Sequence, residues 1–305
     1  MGKNVYITGG TGFIGSALVD HFVHSGCFVY VHTRHPQKYS NKNLLKYVSS
    51  PKEIDRKIDL LVNLSGKPLA TRWSVKSKAE IYQSRVQFTR TLAREFAAIP
   101  QFAPTKVLSA SAIGYYQAGE ETHTEHSDKG DSFSAKLCKD WEEAAREFKE
   151  LGSSLTILRL GVVLNPNGGS LKAMLPSFKL GLGAKLGKGQ QWFSWISLQD
   201  VIEIIRYCSD QAELPDALNV VSPNAVRNAE FTTLLAQSLR RPAILTAPTA
   251  VLKLALGEGA EDFLLANLRV SPAYLMSAGF EFNHPILKDY FEKTFRSSRK
   301  KTAED

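Results

Sequence analysis

Apolar residues along this chain alternate between short apolar runs and helical stripes. One stripe is clear near the N-terminus, where Ile14, Leu18 and Phe22 fall on one helical face. Strands separated by helices pair in parallel through right-handed crossovers. The pattern therefore predicts an α/β fold with a doubly wound parallel sheet, Rossmann-like, and a smaller C-terminal lobe. Strands are predicted at 5–7, 28–32, 59–64, 106–109 and 155–160, with a weaker one near 44–48, and longer helices at 81–98 and 133–150.

The pattern becomes less regular from Gly161 onward. A turn cluster at 165–169 opens this part, and Ser197 and Asp200 form a capping box before a helix. A strand at 219–222, a helix at 229–239 and a last helical stretch running to Phe295 follow. We therefore predict a cofactor-binding domain over 1–165 to which 197–221 returns, a substrate lobe over 166–196 and 222–295, and a basic tail over 296–305.

The composition is that of an ordinary globular protein. The 305 residues are 43% hydrophobic and 22% charged, which excludes a disordered, collagen-like or disulfide-stapled chain. Three cysteines without a CxxC pair fit free thiols, and no apolar run approaches the roughly 20 residues of a membrane helix. The net charge of +8 is partly concentrated in the tail. We expect a cytoplasmic protein that binds a small-molecule substrate but neither nucleic acid nor a membrane, and no metal site.

The segment 8–15, TGGTGFIG, lies where the first strand passes into the first helix. Glycines at this junction allow a tight turn, a close approach to a pyrophosphate and close packing of helix on strand. The phosphates would then meet the free amides and the positive end of the helix. This spacing predicts a dinucleotide site whose cofactor-binding residues are Gly9, Thr11, Gly12, Phe13, Ile14 and Gly15.

The end of the second strand indicates which dinucleotide is bound. A site for NAD(H) usually has an acidic residue there, about 20 positions after the turn, that binds the ribose hydroxyls. This chain has His32-Thr33-Arg34 instead. Because a guanidinium suits a 2′-phosphate, we predict that Arg34 binds it and that NADP(H) is preferred over NAD(H).

Several further segments resemble the extended short-chain dehydrogenase/reductase superfamily. They are the glycine turn, the Asn63-Leu64-Ser65-Gly66 segment and the Ser109-Ala110-Ser111 segment. More narrowly, the chain resembles the NAD-dependent epimerase/dehydratase-like branch known as "epimerase family protein", some members of which are called cell-division inhibitors. That closer resemblance lies in 72–86 (RWSVKSKAEIYQSRV), 109–116 (SASAIGYY), 138–145 (CKDWEEAA), 195–200 (WISLQD) and the C-terminal stretch 257–285.

The resemblance implies a nicotinamide cofactor, a substrate cleft between two lobes and roles for particular residues. The cofactor would lie along Asn63, Leu64, Ser65 and Gly66, with Ser109 and Arg159 also near it. Ser111 would be the active-site serine that polarises a substrate oxygen. Relatives also dimerise through a four-helix bundle made by the helices at 81–98 and 133–150, so the resemblance implies a homodimer.

One departure from the family pattern limits the functional prediction. Working members carry Tyr-x-x-x-Lys on the helix at 133–150, where the lysine lowers the pKa of the tyrosine for proton transfer. Aligning on Glu142 places Ser134 and Cys138 at those positions, and a shift by one gives Phe133 and Leu137. Neither register provides the dyad.

Tyr115 is the candidate that would replace the missing tyrosine, because it follows Ser111 on the same loop. Packing without proton transfer is the alternative role for Tyr115. Candidate substrate contacts are Arg72, Trp73, Tyr116 and Trp195. Two functions stay open: an NADP(H)-dependent oxidoreductase or epimerase-like enzyme that moves hydride to or from a carbonyl or secondary alcohol, and a non-catalytic NADP(H)-binding regulator or sensor.

Overall fold

The central element is a seven-stranded, fully parallel sheet. The structure, a computed structural model, describes residues 2–69 and 72–301. The strand order is β7-β6-β5-β4-β1-β2-β3, which extends the Rossmann order by one strand at the β7 edge. The predicted doubly wound α/β fold is therefore confirmed. The strands are β1 (Asn4–Thr8), β2 (Phe28–His32), β3 (Leu45–Val48), β4 (Leu60–Asn63), β5 (Lys106–Ala112), β6 (Ser154–Leu160) and β7 (Ala217–Val220).

Helices cover both faces of the sheet and build the smaller lobe. Among the described residues, none of the helices is both long and apolar enough to cross a bilayer. They are α1 (Phe13–His24), α2 (Val75–Tyr82), α3 (Phe88–Ala97), α4 (Phe133–Arg146), α5 (Gly169–Lys179), α6 (Leu198–Asp210), α7 (Asn228–Leu239), α8 (Thr249–Leu256), α9 (Ala273–Ser277) and α10 (Leu287–Lys301).

The two faces of the sheet carry separate apolar cores because successive strand residues point to opposite sides. Val5 and Ile7 of β1 pack with α1 and α6 on one face. Tyr6 lies on the other face with Phe96 of α3 and Phe148, just beyond α4. This second face, which α3 and α4 cover, carries the polar residues that form the candidate site.

Helices α2 and α3 form one long rod joined by a π-helical turn at Gln83–Gln87. The rod starts six residues before the predicted position, because Ser74 caps α2 through a hydrogen bond accepted from the Ser77 amide. Helix α4 is also shorter than predicted and ends in a 3-10 turn at Glu147–Leu151. The exposed positions of α4 are all charged. Those positions are Lys136, Lys139, Glu143 and Arg146. The homodimer that the resemblance implies through these helices stays a prediction.

The smaller lobe has its own core between α5, α7 and α10. Ser197 caps α6 as predicted by accepting a hydrogen bond from the Asp200 amide. The predicted last helical stretch up to Phe295 consists of separate pieces, which are α8, a π-helical turn at Ala260–Leu264, α9 and α10. Of the predicted basic tail, residues 302–305 lie outside the described residues.

Candidate active site

The predicted phosphate turn lies between β1 and α1. Gly9 has a φ of +66°, and a Cβ there would lie 2.8 Å from the Leu64 carbonyl oxygen. A Cβ on buried Gly15 would collide with the Gly9 carbonyl. Gly12 is the N-cap of α1, and no side chain caps it. Main-chain amides at the positive end of α1 are therefore left for a ligand, which is what a diphosphate requires.

The other predicted residues of this turn differ in their surroundings. Thr11 is exposed, while Ile14 is half-buried and packs against the core of the sheet. Phe13 is also half-buried and its ring lies against Gly169, where a Cβ would approach the ring to 2.8 Å. Arg34 is exposed just beyond β2, and in the described ranges no hydrogen bond or ion pair engages its guanidinium.

A row of buried polar side chains supports the predicted cofactor segment from below. Thr8, Asn63 and Ser109 are register neighbours on β1, β4 and β5. The Thr8 hydroxyl donates to Asn63 Oδ1 at 2.7 Å, and Asn63 Nδ2 donates to Ser109 Oγ at 3.1 Å. All three residues are fully buried. They position the half-buried Leu64 and Ser65 and the exposed Gly66, whose main chain is the part that a cofactor can reach.

A second polar row lies two residues further along the same face. Ser111, Arg159 and Asn219 are register neighbours on β5, β6 and β7. Glu142 of α4 lies over this row and accepts a hydrogen bond from the Ser111 hydroxyl at 2.7 Å. Arg159 binds the same carboxylate twice, through Nε to Oε1 at 3.0 Å and through Nη2 to Oε2 at 2.9 Å. The Ser111 hydroxyl is thereby fixed with its lone pairs directed away from Glu142.

The Glu142–Arg159 ion pair is almost completely buried, with 6% of each side chain exposed. Burial by itself lowers the pKa of Arg159, but the hydrogen bonds and charge of Glu142 outweigh it and raise that pKa. Arg159 is therefore a permanent cation behind the serine. Sequence reasoning used Glu142 only to align the helix and missed its contact with Ser111.

The two tyrosines that follow Ser111 both contact Arg159. The Tyr116 hydroxyl donates to Asn219 Oδ1 at 2.6 Å and accepts from Arg159 Nη1 at 3.0 Å. Burial raises the pKa of Tyr116, and its hydroxyl both donates and accepts within the network, so Tyr116 braces the network and is not the predicted substrate contact. Tyr115 is half-buried, with its ring centroid 3.6 Å from the Arg159 guanidinium carbon. Tyr115 therefore stays a candidate for contact with a ligand.

The positions of the missing dyad hold no proton-transfer pair. Cys138 is 3% exposed, donates to the Ala112 carbonyl at 3.6 Å and has its pKa raised by burial to about 12. It is a neutral thiol at physiological pH. The main-chain amide of Ser134 donates to the Asp262 carboxylate at 2.9 Å. A residue of the C-terminal stretch therefore sits against the first turn of α4.

Besides Tyr116, the structure corrects two more of the predicted substrate contacts. Trp195 is fully buried, and its ring N–H donates to the Asn224 carbonyl at 2.9 Å, so it belongs to the core of the smaller lobe. Trp73 is 5% exposed and packs edge-on against Phe133. The Trp73 ring also lies against Gly259, where a Cβ would approach it to 2.8 Å. Trp73 thus joins the C-terminal stretch to the sheet domain, and of the pair only Arg72 is exposed.

A glycine turn at the first strand–helix junction and a serine at the end of β5 define a dinucleotide-binding α/β protein. The sequence pattern of the NAD-dependent epimerase/dehydratase family matches residues 5–221, and a domain of unknown function, DUF1731, matches residues 247–294. The chain belongs to the NAD-dependent epimerase/dehydratase family, and the predicted resemblance is confirmed.

Known relatives are similar over nearly the whole chain. The epimerase family protein Mb2239 of Mycobacterium bovis is 37% identical over 292 residues, which cover 92% of this chain and 93% of that protein. The chloroplastic SDR39U1 homolog of Arabidopsis thaliana is 35% identical, with 93% and 84% covered. The crystal structure of human epimerase family protein SDR39U1 (isoform 2) with NADPH superposes with a TM-score of 0.85 at 29% identity, covering 96% of this chain and 99% of that one.

Proposed function

We propose that this protein is an NADP(H)-dependent oxidoreductase or epimerase-like enzyme that acts on a carbonyl or secondary alcohol of a small molecule. The observation that carries the proposal is the pair of sites at the carboxyl ends of the strands. A phosphate turn with uncapped amides ends β1, and an oriented serine ends β5, two strands away. Ligands of open α/β sheets bind just beyond the carboxyl ends of the strands.

The residues of the chain fit the cofactor in three places. Gly9, Gly12 and Gly15 would hold the diphosphate, and the main chain of Leu64–Gly66 would lie along the nicotinamide half. Arg34 would bind the 2′-phosphate, since its guanidinium is exposed and engages none of the described residues. The human relative that superposes on this chain contains NADPH, which agrees with that assignment. When bound, the cofactor supplies or accepts the hydride.

Ser111 would handle the proton at the substrate oxygen. Because its hydroxyl donates to Glu142, its lone pairs can accept a hydrogen bond from a substrate hydroxyl. On oxidation the substrate O–H proton would pass to Ser111 Oγ while the Ser111 proton passes to Glu142, and reduction would reverse both transfers. Arg159 holds the carboxylate in place, and Tyr115 is the second group that would contact the substrate oxygen.

The alternative, a non-catalytic NADP(H)-binding regulator, is favoured by two observations. Ser111 is 2% exposed, and the dyad positions hold Ser134 and a neutral Cys138 thiol. A regulator would bind cofactor without needing a group that moves protons.

Two measurements separate these functions. Calorimetry with NADP(H) and NAD(H) tests cofactor binding, and we expect tighter binding of NADP(H). Cofactor absorbance with a panel of carbonyl compounds tests turnover, which should fall by about 10²–10⁴ in Ser111→Ala. Binding without turnover on any compound would favour the regulator, and the absence of binding would refute both functions.

A further inference from the structure

Arg85 is a buried cation that the proposed function does not yet use. It lies in the π-helical turn between α2 and α3 and is 8% exposed. Its guanidinium carbon lies 5.3 Å from the centre of the Trp141 ring, and a Cβ on Gly66 would approach that carbon to 2.9 Å. The absence of a side chain at Gly66 therefore lets the guanidinium lie directly against the predicted cofactor segment. Single π-helical turns inside helices are frequent at functional sites.

No acidic group pairs with Arg85 in the part of the chain that the structure describes. Its one hydrogen bond there is a long one, from Nη1 to Ser84 Oγ at 3.4 Å. The carboxylate of Glu142 is occupied by Arg159, and that of Glu80 by Lys67. Burying a charge without a partner costs stability. We therefore expect a negatively charged group from outside the chain to pair with the Arg85 guanidinium.

The neighbouring thiol does not supply that counter-charge. Cys138 is the group beside Arg85 whose ionised form would be negative, but burial raises the pKa of Cys138 to about 12. Burial lowers the pKa of Arg85 to about 10, so the guanidinium is still protonated at neutral pH. A neutral thiol therefore faces a charged guanidinium.

The guanidinium also lies at the substrate end of the site. Cys138 contacts the Ala112 carbonyl, one residue after Ser111, and Arg85 lies between this point and Gly66. Gly66 follows β4, the neighbour of β1, so a diphosphate bound at the start of α1 would lie one strand away. The nearer nicotinamide ribose is uncharged and would not neutralise an arginine.

We propose that Arg85 forms an anion subsite that binds a carboxylate or phosphate group of the substrate next to Ser111. A planar guanidinium binds either group through two parallel hydrogen bonds, which would also orient the substrate. This inference rests on the proposed function and narrows its substrate class to carbonyl or hydroxy compounds that carry an anionic group.

The test uses the full chain with Arg85→Met, Arg85→Lys and the matched control Arg90→Met. Arg90 lies on α3, but its side chain is 42% exposed and pairs with Glu147. NADP⁺ affinity is measured first by calorimetry. Malonate and inorganic phosphate are then titrated separately into each protein saturated with NADP⁺, at constant ionic strength, and the melting temperature is followed.

We expect wild type and Arg90→Met to bind one of the two anions, and Arg85→Met to bind it about tenfold or more weakly. Arg85→Lys should lie between them, because it keeps the charge but loses the paired geometry. Without an anion, Arg85→Met should melt at the wild-type temperature or above it, since an unpaired buried charge has been removed. Malonate and phosphate distinguish a carboxylate substrate from a phosphorylated one.

Three results would overturn the inference. They are no anion binding by the wild type, equal binding by Arg85→Met, and a loss of NADP⁺ affinity in Arg85→Met that equals its loss of anion affinity. The last result would assign Arg85 to the cofactor. If Arg85→Met does not fold, the comparison of Arg85→Lys with wild type decides. Failure of the wild type to bind NADP⁺ would instead refute the proposed function on which this inference depends.

Discussion

The phosphate turn, residues 8–15, and the serine network form the two ends of the proposed site. The serine network consists of Ser111, Glu142, Arg159, Tyr116 and Asn219. The turn is formed by main-chain groups and the network by side chains. The phosphate turn uses main-chain groups of eight consecutive residues, and its side chains matter mainly by their absence at Gly9 and Gly15. The serine network uses side chains, with Ser111 joined to Glu142 and Tyr116 joined to Asn219 across 31 and 103 residues. We therefore expect substitutions in the turn to act through local backbone strain, and substitutions in the network to act by leaving a buried charge unpaired.

The largest effect is expected at the buried ion pair. Arg159→Met should lower the free energy of unfolding by about 3–5 kcal/mol, because it leaves the Glu142 carboxylate buried without its cation. The double variant Arg159→Met/Glu142→Met should recover most of this loss, since both charges are then gone. Urea denaturation measures each value.

The control for this prediction is Lys139→Met, which removes the exposed Lys139–Glu143 pair of the same helix. Exposed pairs contribute little, so this variant should stay close to wild type. A loss in Arg159→Met no larger than that of the control would show that the buried pair does not hold the network together.

A pH effect is expected at the adenosine end of the site. Burial lowers the pKa of His32 from 6.5 to about 4, and its Nδ1 lies 2.7 Å from the Tyr6 hydroxyl. Between these two pH values the unfolded chain binds a proton that the folded protein does not. Stability should therefore be complete above pH 6.5 and fall by up to about 3 kcal/mol as the pH drops to 4.

His32→Gln should remove this part of the pH dependence while keeping a hydrogen-bond partner for Tyr6. Replacing the exposed His24 of α1 in the same way should leave the slope unchanged. Urea denaturation at several pH values between 4 and 7.5 gives the slopes, and an unchanged slope in His32→Gln would contradict the assignment.

Local strain in the phosphate turn should have a somewhat smaller effect. Gly9→Ala forces a side chain into the left-handed region, at a cost of about 1–2 kcal/mol, and presses it against the Leu64 carbonyl. If that cost reshapes the turn, NADP(H) affinity should fall by about ten- to thirtyfold in calorimetry.

Gly26→Ala is the matched control, because its φ of +76° is also left-handed but nothing lies within 4 Å of the added carbon. It should lower stability without weakening NADP(H) binding. Equal affinities in the two variants would argue against the turn as the diphosphate site.

The smallest effect is expected at the exposed Arg34. Arg34→Ala should weaken NADP⁺ binding by about tenfold, through the loss of charge-assisted hydrogen bonds to the 2′-phosphate, and leave NAD⁺ binding unchanged. Lys38→Ala, an exposed cation of the same loop, should change neither affinity. A wild type that binds both coenzymes equally would refute the predicted preference.

The sheet, the glycine turn and the cap of α6 were predictable because each depends on residues close together in the sequence. A run of apolar residues at 59–64 or a helical stripe from Ile14 to Phe22 reports which backbone conformation buries those side chains. Ser197 and Asp200 are three residues apart, so their capping contact is decided within one helical turn.

Side-chain neighbours distant in sequence were not predictable in the same way. Sequence reasoning placed Trp195 and Trp73 at a substrate cleft, but an aromatic residue can fill a core as readily as a cleft. Only the packing of the smaller lobe and of the C-terminal stretch shows that both are buried. Glu142 and Arg85 were missed because nothing local distinguishes a buried charge on a helix from an exposed one.

By itself the sequence determined the order of strands and helices and the glycine turn at the start of the first helix, since backbone preferences and hydrophobic periodicity act over a few residues. The tertiary structure decided the rest of the site. The parallel register of β5, β6 and β7 sets Ser111, Arg159 and Asn219 in one row, and the packing of α4 brings Glu142 onto it. These contacts exist only after distant segments have packed, because a hydrogen bond or ion pair requires its atoms to lie within a few ångströms of each other.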